Sequence, residues 1–192
     1  MFVDAHPSSR DEWSLGLGGG VFGGHRRLMG WGPQNDAESV GAIQRAVELG
    51  INWIDTAPLY GLGHSESLIG DALSRIPPRE RPMVFTKCGV LWDESKPSEL
   101  QPVLTPATLR TRMRSLITPP QNRSYRSPQV HTAPLDDTRL KEAWDEMGTL
   151  VEDGLVRAVG VSNFSTALLN RCESVRHIDS LQPPRSIIAH TP

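Results

Sequence analysis

Residues 50–70, GINWIDTAPLYGLGHSESLIG, combine a strand pattern, a glycine-containing loop and the start of a helix. A short apolar run after Gly50 predicts a buried strand over 51–55. The strand ends at Asp55, and Tyr60 lies five residues on in the next loop. A polar group at the carboxyl end of a strand is where α/β proteins place chemistry. The alternative makes Asp55 a turn former and Tyr60 a packed loop aromatic, and this stretch alone leaves both open.

Strand and helix patterns alternate along the chain. Strands are predicted near 15–18, 51–55, 83–87, 125–131, 156–161 and 178–182. Ser65 with Glu66 is expected to open the helix that follows the first stretch. Such βα units in series predict parallel strands with helices outside them, either in an open doubly wound sheet or in most of a βα barrel. A complete eight-unit barrel needs about 250 residues, more than the 192 present here.

Two segments carry weaker signals. Residues 89–103 are predicted to be a polar loop. Residues 117–131, ITPPQNRSYRSPQVH, occupy the place where the pattern requires a buried strand, yet they are polar and include Pro128. Proline in a central strand forfeits a ladder hydrogen bond, so the local sequence conflicts with the expected fold.

Composition excludes several classes of protein. The chain is 38% apolar and 22% charged, with a formal net charge of −2, which is typical of a globular domain and argues against a nucleic-acid binder. No apolar run is long enough to span a membrane. Two cysteines without metal or redox spacing indicate reduced thiols in the cytoplasm, and no metal site is expected. We expect a polar leader over 1–13 and one domain over 14–192; the sequence carries no signal for an oligomeric state.

Polar residues follow five of the predicted strands at their carboxyl ends. They are Asp55, Lys87, His131, the pair Ser162-Asn163, and Gln182. In a parallel barrel these ends share one face, so the residues are expected to converge. Each also has a structural alternative: a solvated strand end for Lys87, a loop histidine for His131, a helix cap for Asn163 and a residue before a Pro-Pro turn for Gln182.

These groups suit proton transfer to a carbonyl oxygen. Tyr60 would be the acid, and Lys87 the ammonium that lowers the pKa of its phenol, with Asp55 as the counter-charge. A neutral His131 could donate a hydrogen bond that orients the substrate oxygen. The hydroxyl and amide groups of 162, 163 and 182 suit a carboxamide such as that of nicotinamide.

The glycine run at 16–24 allows another hypothesis. Its backbone can approach a ligand closely, as in a phosphate-binding barrel. No basic residue accompanies these glycines at a helix start, so this hypothesis is less favoured.

The chain resembles the aldo-keto reductases, NADPH-dependent oxidoreductases on a (β/α)₈ barrel. The resemblance rests on GINWIDTAPLYGLGHSE (50–66), FTKCG (85–89), LTPATLR (104–110), QVH (129–131), LVEDGLVRAVGVSNFS (150–165) and LQPP (181–184). It implies an incomplete TIM-type barrel of about six βα units that lacks the last two.

The resemblance also implies roles for single residues. Asp55, Tyr60, Lys87 and His131 match the catalytic tetrad, with Tyr60 as the general acid. Ser162, Asn163 and Gln182 match the residues that hold the nicotinamide amide. The cofactor would be NADPH and the substrate a small carbonyl compound: an aldehyde, a ketone or a sugar.

The chain departs from the family pattern in three places. SYRSPQ replaces the apolar strand before His131, and Thr132-Ala133 replaces the aromatic that usually follows it. The family's last two units, which carry the aromatic that stacks on nicotinamide and the basic loop for the 2′-phosphate, have no counterpart here. We therefore expect weak or no NADPH binding by the isolated chain. A catalytically impaired or non-catalytic relative of the family is the alternative.

Overall fold

A computed structural model describes residues 16–24, 32–93, 96–117, 125–131 and 137–183. The strands are β1 (Leu17–Gly18), β2 (Trp53–Asp55), β3 (Met83–Cys88), β4 (Val90–Asp93), β5 (Lys96–Pro102), β6 (Tyr125–Val130), β7 (Gly160–Ser162) and β8 (Ser180–Gln182). The helices are α1 (Asp36–Glu48), α2 (His64–Ser74), α3 (Pro106–Ile117), α4 (Asp137–Glu152) and α5 (Thr166–Glu173). The leader predicted over 1–13 lies outside the described residues.

Six strands form one curled sheet in the order β1-β2-β3-β6-β7-β8, and every neighbouring pair is parallel. Strands and helices alternate, so each crossover carries a helix to the outer face of the sheet. This arrangement confirms the incomplete (β/α) barrel, and it brings the carboxyl ends of the six strands to one rim.

The main core lies between the sheet and its helices. Ile54, Val84, Val130 and Val161 lie on the strand face that packs against the helices, where they are fully buried. Helix residues that pack in the same core include Ile43, Ile69, Met113, Trp144 and Met147. The strand residues on the opposite face therefore point to the inside of the barrel and to its rim.

One prediction about the fold was wrong. Residues 89–103 are not a polar loop, because β4 and β5 form an antiparallel hairpin within them. Val90 pairs with Pro102 and Leu91 with Gln101. The hairpin is stabilised by cross-strand pairs, which the polar composition of β5 does not reveal when that segment is considered alone.

The predicted strand bounds were too wide at several places. The strand predicted over 156–161 is β7, which covers only Gly160–Ser162, and the strand predicted over 178–182 begins at Ser180. Val156 and Val159 are nevertheless buried. Their apolar character reflects packing in the loop before the strand, which periodicity alone does not separate from pairing.

The doubtful strand before His131 does form, as β6. Its register with β3 shifts between Val84 and Phe85, and β7 pairs only with Gln129 and Val130. Pro128 therefore lies where β6 has one neighbour rather than two, which is where a strand tolerates proline. The conflict persists in the side chains, since Ser127 Oγ and Gln129 Oε1 are buried without a hydrogen-bond partner.

Candidate active site

Asp55 and Lys87 form a buried ion pair at the carboxyl ends of β2 and β3. Lys87 Nζ donates to Asp55 Oδ1 at 2.7 Å, to Asp55 Oδ2 at 2.9 Å and to the Thr56 carbonyl at 3.1 Å. Lys87 is 2% exposed and Asp55 9%. All three ammonium protons have acceptors, so the charge is held in one place.

Strand register explains why these two residues meet. Asp55 pairs with Phe85, and Lys87 lies two residues farther along β3. Side chains two residues apart in a strand share a face. Lys87 thus lies one step beyond Asp55 on the same face, and its long side chain reaches back to the carboxylate.

The loop after β2 brings Tyr60 to the ion pair. Lys87 Nζ lies 5.5 Å from the centroid of the Tyr60 ring. Three consecutive residues of this loop, 61–63, have positive φ, including the non-glycine Leu62 at 53°. Gly61 packs so closely on Gly23 that an added Cβ would lie 2.0 Å from the Gly23 oxygen. The glycines at 19–23 thus allow close contact between two parts of this chain.

The ionisation of Tyr60 differs from the sequence-based expectation. Burial, and secondarily the Asp55 carboxylate, raise the pKa of the Tyr60 hydroxyl to about 12. Lys87 was expected to lower this pKa. Its charge is instead balanced by Asp55 in direct contact, so little of its field is left for the phenol. Tyr60 is therefore a neutral acid at physiological pH.

His131 follows β6 directly and continues the sheet, since its backbone N–H donates to the Cys88 carbonyl at 3.1 Å. Burial and the nearby Lys87 ammonium lower the pKa of the imidazole, and Asp55 partly offsets them. A lowered pKa keeps the ring neutral at pH 7, as expected from the sequence.

Ser162, Asn163 and Gln182 meet at the ends of β7 and β8. Ser162 Oγ donates to the Gln182 carbonyl at 3.2 Å, and Asn163 Nδ2 donates to Ser162 Oγ at 3.1 Å and to the His131 carbonyl at 3.3 Å. Asn163 has a φ of 61°, an uncommon value for a non-glycine residue. This cluster therefore contacts the backbone of the histidine that belongs to the other half of the site.

The structure thus places Asp55, Tyr60 and Lys87 together. His131 lies close enough for the charges of Lys87 and Asp55 to shift the pKa of its imidazole. Ser162, Asn163 and Gln182 form the second group. Within the described residues no hydrogen bond joins Tyr60 Oη to Lys87 Nζ. The same part of the chain contains no cluster of three or more potential metal ligands, and no helix long and apolar enough to cross a membrane.

Sequence reasoning missed two buried residues that contact the neighbours of the ion pair in the chain. The prediction that Ser65 and Glu66 open a helix was only partly right, because α2 begins at His64 and its N-cap is Gly63, with no side-chain cap. Ser65 and Glu66 are instead buried and contact Thr56 and Thr86. The only signal in the sequence was their position directly after the Tyr60 loop.

Known proteins resemble this chain over most of its length. The model of the Aldo/keto reductase family matches residues 14–191. The chain is 30% identical over 173 residues to the aldo-keto reductase YhdN of Bacillus subtilis, covering 90% of this chain and 50% of that protein. It is 29% identical over 188 residues to the NADH-specific methylglyoxal reductase of Escherichia coli, covering 91% of this chain and 55% of that protein.

A solved structure shows the same half-length match. The glycerol dehydrogenase AKR11B4 from Gluconobacter oxydans is 34% identical, with a TM-score of 0.74, over 88% of this chain and 50% of that one. The chain therefore spans about half the length of the curated relatives that it matches.

Proposed function

Because the chain belongs to the aldo/keto reductase family of oxidoreductases, we propose that it serves hydride transfer between NADP(H) and the carbonyl group of an aldehyde, a ketone or a sugar. Tyr60 is the general acid in this proposal. The residue roles rest on the geometry of the rim together with the motif resemblance.

The observation that carries the proposal is the fully satisfied Lys87–Asp55 pair beside Tyr60. A buried ion pair is a poor source of stability, since removing two charges from water costs about as much as their attraction returns. Its position at a strand-end rim, 5.5 Å from a phenol ring, favours a chemical role. The neutral phenol can give its proton to the oxygen that develops negative charge when the carbonyl is reduced.

His131 is the second group that can contact that oxygen. Its imidazole is half-buried, and its lowered pKa leaves it neutral. A neutral ring can donate one N–H to the carbonyl oxygen and fix its direction without adding another cation beside Lys87. Tyr60 then protonates the oxygen while His131 holds it.

The second cluster fits the carboxamide of a nicotinamide. Asn163 Oδ1 and Gln182 Nε2 make no hydrogen bond within the described residues, so one acceptor and one donor remain available there. A carboxamide offers the matching donor and acceptor. When bound, the nicotinamide supplies the hydride. The choice of NADP(H) follows the family resemblance, although one relative is named as NADH-specific.

The two cysteines agree with a cytoplasmic setting, which is part of the proposal. Cys88 and Cys172 are free thiols buried in the core. Burial raises the pKa of each thiol to about 12, so neither is a reactive thiolate at neutral pH.

The test is the reduction of 4-nitrobenzaldehyde at high concentrations of NADPH and, separately, NADH, followed by loss of cofactor absorbance. Turnover should fall at least about 100-fold in Tyr60→Phe, the scale expected for loss of a general acid. Tyr125→Phe changes the chain's other tyrosine and should retain the wild-type rate. Equal rates in both variants would refute the role of Tyr60.

A non-catalytic relative of the family remains the second candidate, favoured by β6. Ser127 and Gln129 leave two buried polar atoms unpaired in the strand that leads to His131. This candidate predicts cofactor binding without turnover, measured by nucleotide fluorescence in the same preparation. Tight binding selective for the 2′-phosphate would also contradict the expected weakness of NADPH binding by the isolated chain.

A further inference from the structure

The first turn of α2 contains two adjacent buried polar residues that the proposed reaction does not use. Ser65 is fully buried and Glu66 is 8% exposed. Polar residues near a helix start usually cap it, but here the N-cap is Gly63 and no side chain caps the helix. Their side chains are directed to the sheet instead.

Ser65 connects the glycine-rich turn to the residue after Asp55. Its Oγ donates to the Gly19 carbonyl at 2.8 Å and lies 3.0 Å from Thr56 Oγ1. A hydroxyl has one proton, so Thr56 must be the donor in the second bond. Thr56 is also the residue whose carbonyl accepts from Lys87.

Glu66 connects two helices to the residue before Lys87. It accepts from Thr86 Oγ1 at 2.5 Å and from Arg112 Nη2 at 2.6 and 2.5 Å. Thr86 precedes Lys87 in β3, so its side chain leaves the opposite face of the strand. Glu66 therefore contacts β3 on the face opposite to the one from which Lys87 reaches Asp55.

Ser65 and Glu66 together make contacts at three places beside the site. Ser65 binds the residue after Asp55, and Glu66 binds the residue before Lys87. The Ser65 backbone N–H also donates to the Tyr60 carbonyl at 3.2 Å. One helical turn thus contacts the chain next to the carboxylate, the ammonium and the phenol.

We propose that Ser65 and Glu66 are positioning residues that hold Asp55, Lys87 and Tyr60 in their reactive arrangement, and that the Glu66 carboxylate acts as a second negative charge behind Lys87. The catalytic part of this inference rests on the proposed function, whereas its electrostatic part does not. We call the two residues the α2 clamp.

Four titratable groups face Lys87: Asp55 from β2, Tyr60 from its loop, Glu66 from α2 and His131 after β6. Burial lowers the pKa of Lys87, and Asp55 followed by Glu66 opposes that effect. Glu66 is itself paired with Arg112 of α3. Neutralising Glu66 would leave that guanidinium as an unbalanced positive charge behind β3, so Lys87 should lose its proton at lower pH. A residue that only packs the helix would not change this titration.

The decisive experiment is a titration of lysine side chains by NMR, using ¹³C,¹⁵N-lysine, from about pH 7 to about pH 11. The chain has three lysines, Lys87, Lys96 and Lys141, so the signals are few. In Glu66→Gln the Lys87 midpoint should move to lower pH while the other two stay. An unchanged Lys87 midpoint would overturn the electrostatic role.

Glu146→Gln is the matched control. Glu146 accepts from Arg110 Nε at 2.8 Å and joins α3 to α4 as Glu66 joins α3 to α2. Within the described residues it makes no hydrogen bond or ion pair with Lys87 or its neighbours in the strand. Its removal should leave the Lys87 titration unchanged. An equal shift in both variants would show a general loosening of α3 and contradict the clamp.

A double variant covers the case in which Glu66→Gln does not fold. Glu66→Gln with Arg112→Met removes both partners, which proteins tolerate better than one orphaned buried charge. Because this variant removes a negative and a positive charge together, the Lys87 midpoint should stay near the wild-type value. A large shift would contradict the electrostatic role of the Glu66 carboxylate.

The positioning role is tested by activity. Ser65→Ala should lower kcat roughly tenfold with little change in KM, because the reacting groups are displaced while the binding groups remain. Ser67→Ala, whose exposed hydroxyl donates to the Gly63 carbonyl, should keep the wild-type kcat. Equal kcat in Ser65→Ala and wild type would contradict positioning. If the wild type shows no turnover, the proposed function fails, and the NMR titration still decides the electrostatic role of Glu66.

Discussion

Two polar groups near β2 and β3 and two in β6 differ in whether they have hydrogen-bond partners. Around β2 and β3, the Ser65 hydroxyl and the Lys87 ammonium each have partners at hydrogen-bonding distance. In β6, Ser127 Oγ and Gln129 Oε1 are equally buried and have none. The two regions lie side by side, since Phe85 pairs with Ser127 and Lys87 with Gln129.

The difference shows that burial alone does not identify a functional polar residue. A buried polar atom with several partners marks a place where side chains have been fitted to one another. A buried polar atom without a partner costs stability, about 1–3 kcal/mol, and holds nothing in position. The chemistry proposed here depends on the first kind of region, and β6 supports it by placing His131 at the rim.

Loss of the central cation should have the largest effect on stability. Lys87→Met keeps the length of the side chain but leaves Asp55 buried without its cation, so we expect a loss of about 3–5 kcal/mol in the free energy of unfolding. Urea unfolding followed by circular dichroism measures it. Arg45→Met breaks an exposed pair with Glu48 and should cost less than about 1 kcal/mol. Similar losses in the two variants would contradict the contrast between buried and exposed pairs.

Two fully buried serines give a sharper comparison. Ser65→Ala removes a hydroxyl that has hydrogen-bond partners and leaves the Gly19 carbonyl without the hydrogen bond from Ser65. It should therefore destabilise the fold by about 1–3 kcal/mol. Ser127→Ala removes an unpaired hydroxyl and should leave stability unchanged or raise it by about 1 kcal/mol. The same urea unfolding assay compares them. Equal destabilisation would mean that the Ser127 hydroxyl has a partner after all.

The smallest effect expected is a pH dependence that comes from His131. Its pKa is lower in the folded chain than the usual 6.5, so the unfolded chain binds the proton more readily. The stability contributed by the neutral ring is complete above the unfolded pKa and is lost as the pH falls through the folded one. Unfolding free energies between about pH 7.5 and about pH 5 should fall less steeply in His131→Asn than in wild type. Identical slopes would contradict this.

Much of the fold followed from local patterns. An apolar run after Gly50 located β2 and a β-prone run from Met83 located β3. The order of strands and helices predicted a parallel sheet with one functional rim. The β4–β5 hairpin did not follow, because its strands stabilise each other across the turn rather than through their own composition. β6 forms although its polar residues do not favour a buried strand, because pairing with the neighbouring strand β3 stabilises it.

The sequence by itself determined the family, the parallel order of the strands and the positions of Asp55, Tyr60, Lys87, His131, Ser162, Asn163 and Gln182 after strands or in the adjoining loops. These features are local, because a motif and its spacing are complete within a short segment. The tertiary structure alone decided that Ser65 and Glu66 contact the residues beside the ion pair, and that Tyr60 has a raised rather than a lowered pKa. The contacts of Glu66 and Ser65 are with residues 20 and 46 positions away in the chain. The raised pKa of Tyr60 comes mainly from burial, which no local pattern encodes.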